Sequence, residues 1–161
     1  MEDSQTVADA SEVAVGVAVG VVVVGHGRSA SALLGAAEGI VGDALTGVVA
    51  VDAGAGEDAD LRTRMCAAVV AADRGAGVLL IADMFGASPC ACGIRMAEGH
   101  PLAVLAGFNL AMLLKLATLD RRTHTPAELA EACGASARRA IVVTTPKPPQ
   151  PPQHAASKEP A

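Results

Sequence analysis

VAVGVAVGVVVVGHGRS, residues 13–29, is the stretch whose reading decides the fold. Val13 to Val24 is a run of twelve Val, Ala and Gly residues that stops at Gly25. A bilayer needs about 20 apolar residues in a helix, so the run is too short to cross one. Met1–Glu12, just before it, contains Glu2, Asp3, Asp9 and Glu12 and no Lys or Arg. A secretory signal needs a positive leading region, so the run is not one. A Val-rich segment without polar alternation reads as a strand buried on both faces, which is the pattern of a parallel sheet.

Working outward, the same unit recurs. Leu33, Leu34, Ala37 and Ile40–Val41 repeat at helical spacing and predict a helix from about Ser29 to Gly42. GVVAVD (47–52) predicts a second strand, and the turn AGAGED (53–58) leads to a helix over about Asp58–Asp73. GVLLIAD (77–83) predicts a third strand. After the loop Met84–Ala87, Ser88 reads as an N-cap with Pro89 at the first helical position, and this helix reaches about Gly99. Pro101–Ala106 predicts a fourth strand, and Asn109 can cap a helix to about Leu119. Thr125-Pro126-Ala127-Glu128 fits a capping box opening a helix to about Arg139, and IVVTT (141–145) is a short strand candidate.

Strands alternating with helices predict an α/β domain, small and doubly wound, with a mostly parallel sheet in the flavodoxin-like order 2-1-3-4. A barrel would need eight such units and about 250 residues, and the chain has 161. The expected organisation is a disordered tail over 1–12, one domain over 13–145, and a disordered tail over 146–161, where six prolines fall. With 52% hydrophobic residues the chain has material for a core. A net charge of −5, no basic run and only two aromatics, Phe85 and Phe108, argue against nucleic-acid binding. Cys66, Cys90, Cys92 and Cys133 have no metal-ligand spacing and read as buried reduced thiols, which suits a cytoplasmic protein. Cys90 and Cys92, two apart on a helix, should face nearly opposite ways.

The order 2-1-3-4 puts strands one and three side by side where their following loops diverge. His26, after strand one, and Asp83, ending strand three, then meet at carboxyl ends of neighbouring strands. A carboxylate on Nδ1 fixes the tautomer and leaves the Nε2 lone pair as a nucleophile. The glycines flanking His26 would let a bulky partner near the ring. The helices after His26 and after Ser88 would turn their N-termini to the same place, where free N–H groups favour a phosphoryl group. Arg28 could steady a phosphate. Phe85 and Phe108 are either a docking surface or packing. Glu57, Asp58 and Asp60 read as caps and first-turn charges of the second helix, or as a rim for a basic partner. His100 should sit at the amino end of strand four, away from the crevice.

These residues resemble the enzyme IIA component of the mannose family of the bacterial phosphoenolpyruvate-dependent sugar phosphotransferase system. The resemblance rests on VVVVGHGRSASALLGAAEGIVG, the turn AGAGED, GVLLIADMFGASP and GFNLAML, which stand in the family's order over about Val15–Asp120. It implies a phosphotransferase in which His26 accepts a phosphoryl group from the phosphocarrier HPr and passes it to an enzyme IIB partner for sugar uptake, with Asp83 orienting His26. It places Gly86, Ala87 and Ser88 at the phosphate and Asn109 beside the pocket; Gly27 at the phosphate, and Arg28, Phe85 and Phe108 as pocket or partner contacts, come instead from the position of their loops in the sequence. It also implies a homodimer exchanging a C-terminal antiparallel strand, for which Ile141–Thr145 is the candidate. No cofactor, metal, nucleic acid or membrane insertion is implied. Gly25 stands where the family commonly has Thr, Ala87 where it has Gly, and Ala111 where it has Pro. Two alternatives stand beside this reading. One is a regulator of the same family, without a transport role, whose phosphorylation state sets a protein contact. The other is a small tetrapyrrole metal chelatase, which would need a second His near His26.

Overall fold

The computed structural model describes residues 17–56 and 58–145. Expectations for 1–16, Glu57 and 146–161, including both tails, lie outside the described residues. The strands are β1 (Gly20–Gly25), β2 (Val48–Asp52), β3 (Val78–Ala82) and β4 (Leu102–Ala106). The helices are α1 (Ser29–Val41), α2 (Ala59–Ala72), α3 (Ser88–Met96), α4 (Leu110–Leu116) and α5 (Pro126–Arg139). A short 3-10 turn, Gly42–Leu45, follows α1. The sheet order is β2-β1-β3-β4 and every pairing is parallel. This is the doubly wound α/β arrangement that the sequence predicts.

Burial explains the order. Every residue of β1 and β3 is buried, whereas β2 and β4 are mostly half-buried. The two uniformly apolar runs therefore take the centre, where both faces are covered. Val19, Val21, Val23, Leu79 and Ile81 face one layer, with Leu34 of α1, Leu113 of α4 and Leu129 of α5. Val22, Val24, Val78 and Leu80 face the other, with Leu61 and Met65 of α2 and Cys90 of α3. Burying a side chain of this size contributes about 1.5–3 kcal/mol, and the central strands place one on each face at alternate positions.

Four local expectations are corrected. β1 begins at Gly20, not at Val13, and residues 17–19 are not strand. Ser88 is the first residue of α3; Ala87 holds the cap position and supplies no side-chain hydrogen bond. Residues 141–145 form no strand with this chain's sheet, and Ile141, Val142 and Val143 are exposed. Within a single copy these residues join no ladder; the pairing expected of them is with a second copy. Among the cysteines, Cys66 is exposed rather than buried, whereas Cys90, Cys92 and Cys133 are buried as expected. Other caps agree with the sequence reading: Asp58 accepts the Leu61 N–H, Asn109 accepts the Met112 N–H, and Thr125 and Glu128 close a capping box.

Candidate functional site

β1 and β3 end side by side, with Val24 opposite Ala82 in the register. His26 and Asp83 each follow one of those ends, and Asp83 Oδ2 lies 2.8 Å from His26 Nδ1. The same oxygen accepts the backbone N–H of His26 at 2.8 Å. One carboxylate oxygen thus holds both the ring and the main chain of the histidine. The His26 side chain is 41% exposed and that of Asp83 19%. The ring is gripped at Nδ1, which leaves Nε2 as its unclaimed nitrogen. Burial pushes the Asp83 carboxyl upward, but hydrogen bonds from the His26 backbone and ring, with the ring's charge, outweigh it and hold the group below its ordinary range.

The glycines beside His26 have local reasons. A Cβ on Gly25 would stand 2.3 Å from Ser29 Oγ and 3.0 Å from Phe108 Cζ. The space of a side chain at position 25 is therefore taken by the Ser29 hydroxyl and the Phe108 ring, which accounts for glycine where threonine is commoner. Gly27 has φ of +58°, a left-handed conformation costly for other residues. It bridges Gly54: the Gly27 N–H donates to the Gly54 carbonyl at 2.6 Å and the return bond is 3.3 Å. The AGAGED turn thereby braces the histidine loop.

The two helix N-termini are not equivalent. At α1, Asp52 accepts the Ser31 N–H at 2.9 Å and also the Ser31 hydroxyl. A carboxylate already answers that helix end, and this corrects the expectation that both ends are open. At α3 no side chain caps the helix. Its first-turn N–H groups lie beyond the reach of the i→i−4 ladder. Sequence reading missed Asp52, yet the signal was present: the second and third strands both close on aspartate, in GVVAVD and GVLLIAD. Gly25 stands opposite Asp52 in the register, so both carboxylates belong to the same end of the sheet.

The remaining candidates separate. Met84, Phe85, Gly86 and Ser88 are exposed in the loop after β3 and at the start of α3, with Ala87 half-buried among them. Phe85 is 74% exposed. Phe108 instead packs against the core and over Gly25, so it is packing. Arg28 is exposed at the α1 cap position. Asn109 is committed to structure: its side chain caps α4 and donates from Nδ2 to the Ala137 carbonyl at 3.2 Å. Asp58 caps α2, and Asp60 pairs with Arg64 one turn on. His100 lies just before β4 at the other end of the sheet, where its Nδ1 is 2.6 Å from Asp73 Oδ2. Among the described residues, no group of three or more His, Cys, Asp and Glu could hold a metal ion. None of the described helices is long and apolar enough to cross a membrane.

The sequence matches the EIIA-man family, described as PTS system fructose IIA component, over residues 20–133. A comparison with curated proteins finds no match. Among solved structures, the chain is similar to the mannose/sorbose specific IIA subunit of the phosphotransferase system from Enterococcus faecalis. The identity is 28%, over 83% of this chain and 98% of that one, with a TM-score of 0.59. It is also similar to phosphotransferase system component EIIA from Streptococcus agalactiae, at 25% identity over 78% of this chain and 96% of that one, with a TM-score of 0.66. The PTS IIA protein associated with the fucose utilization operon of Streptococcus pneumoniae shares the fold at 21% identity, over 78% and 93% of the two chains, with a TM-score of 0.63.

Proposed function

The chain belongs to the EIIA-man family of phosphotransferase-system components, and from that premise we propose that His26 carries a phosphoryl group on Nε2 between HPr and an enzyme IIB partner. The observation that carries this reading is the 2.8 Å contact of His26 Nδ1 with Asp83 Oδ2 beneath a ring that solvent reaches. In the forward step the Nε2 lone pair attacks phosphorus. The bond from phosphorus to the donor breaks, and its electron pair leaves with the donor. The ring becomes positive, and Asp83, held ionised, stabilises that charge without a proton having to move. In the return step the bond to Nε2 breaks and the pair stays on the ring. The phosphate oxygens would meet the open N-terminus of α3, at Gly86, Ala87 and Ser88, and the Gly27 loop. Exposed Met84 and Phe85 beside the site suit a protein partner rather than a small molecule.

A homodimer with strand exchange is part of the same proposal. The outer edge of β4 has no strand partner among the described residues, and Ile141–Val143 are apolar and exposed. An apolar segment beside a free edge is the pairing that two copies can satisfy for one another.

Incubation with phosphoenolpyruvate, enzyme I and HPr tests the central claim. The chain should gain one acid-labile phosphate on the peptide containing His26. Label that persists in a folded His26→Ala variant would defeat the assignment.

A further inference from the structure

We propose that the cavity at the amino ends of β1 and β2 is a second binding site, for a small anion bearing a carboxylate or phosphate group. The cavity holds about 380 Å³, and its lining includes Arg74, Arg121, Thr46, Gly47, Val19 and Val49. That volume falls within the range of small-molecule sites, about 300–1,000 Å³. β1 runs from Gly20 at this cavity to Gly25 beside His26. At about 3.3 Å per residue the two sites stand roughly 17 Å apart along the strand.

Charge makes the cavity selective. Arg121 is half-buried, and its guanidinium donates from one terminal nitrogen to the Thr46 carbonyl at 2.6 Å. Its own carbonyl accepts the Val19 N–H at 2.8 Å, which fixes its backbone against the start of β1. No carboxylate among the described residues pairs with Arg121 or with Arg74. The acids next to them in sequence are turned elsewhere. Asp73 accepts the N–H groups of Gly75 and Gly77 and pairs with His100. Asp120 pairs with Arg122. Burial pushes the Arg121 guanidinium below its ordinary range, the mark of a cation that has lost water without gaining an anion. Guanidinium groups match carboxylate and phosphate oxygens in pairs, and Val19 and Val49 offer an apolar floor for a short carbon body. A small organic acid or a phosphorylated small molecule fits this combination.

The test titrates the full chain, labelled with nitrogen-15, with inorganic phosphate and separately with succinate at moderate salt. Saturable shifts of the Thr46, Gly47 and Ala72 amides are expected. Arg74→Gln leaves the Arg121 tie to Thr46 in place and should weaken binding about tenfold. His26→Ala should leave binding at these amides unchanged. Amides that do not saturate, shifts confined to Gly86–Ser88, or an Arg74→Gln variant that binds like the wild type would overturn the proposal. The chain's own Glu2, Asp3, Asp9 and Glu12 carry the same carboxylate chemistry. A full-length variant with all four as amides should bind the free anions unchanged. A tenfold gain would assign the cavity to those side chains and overturn a diffusible ligand.

Discussion

Replacing Asp83 by Asn tests the site at its most exact point. The substitution keeps the shape and removes the charge. Oδ2 accepts two bonds, from His26 Nδ1 and from the His26 backbone N–H, both at 2.8 Å. An amide oxygen in that place can still accept both. Each bond then changes from charge-assisted to neutral, a loss of about 1 kcal/mol apiece. The His26 side chain is 41% exposed, so solvent screens part of the loss. The backbone bond is the same before and at the transition state, so only the ring bond counts there as the ring gains positive charge; about 1 kcal/mol is expected, which is about a 5-fold slower phosphorylation. The assay is a time course of acid-labile label from phosphoenolpyruvate through enzyme I and HPr, with circular dichroism to verify folding. Asp83→Ala, which removes both bonds, should be slower still. An Asp83→Asn protein that is folded and labels at the wild-type rate would refute the electrostatic role assigned to the carboxylate.

Other outcomes follow from particular contacts. Gly25→Thr should cost about 1–3 kcal/mol in urea unfolding, because its Cβ meets Ser29 Oγ and Phe108, and Ser29→Ala in the same chain should recover part of that loss. Ser29→Ala alone should be near neutral, since the buried hydroxyl has no hydrogen-bond partner among the described residues to lose. Burial raises the Asp73 carboxyl, but its bonds with His100 and the Gly75 and Gly77 amides hold it below the ordinary carboxylate value, so its stabilisation is present above that value and is lost as pH falls through the depressed one. Asp73→Asn should therefore lower the urea midpoint at pH 7 and converge with the wild type once the pH has fallen below the depressed value, while His26 labelling at neutral pH is unchanged. Iodoacetamide should modify Cys66 first in the native protein, because Cys90, Cys92 and Cys133 are buried and burial pushes the Cys133 thiol up to about 11; equal rates at all four, read by mass spectrometry, would contradict this.

The alternation of apolar runs with helical spacing, and the saturation of β1 and β3 with Val, Leu and Ile, were legible in the sequence because burial on two faces leaves no room for polar alternation. From those two central strands the meeting of His26 with Asp83 followed. Side-chain caps were legible wherever donor and acceptor lie within one turn, as at Asp58, Asn109 and Thr125. Other features depend on neighbours remote in sequence. The Ser29 hydroxyl and Phe108 ring fill the space at Gly25, Asp52 answers the first turn of α1 from another strand, and Arg74 and Arg121 share one cavity. Local pattern records what each segment must bury, whereas the packing of segments decides which polar groups find partners and which face solvent. The sequence by itself therefore predicted the strand order and the meeting of His26 with Asp83. Only the tertiary structure decided, among the described residues, which helix end no side chain caps and that Arg74 and Arg121 stand without an acid.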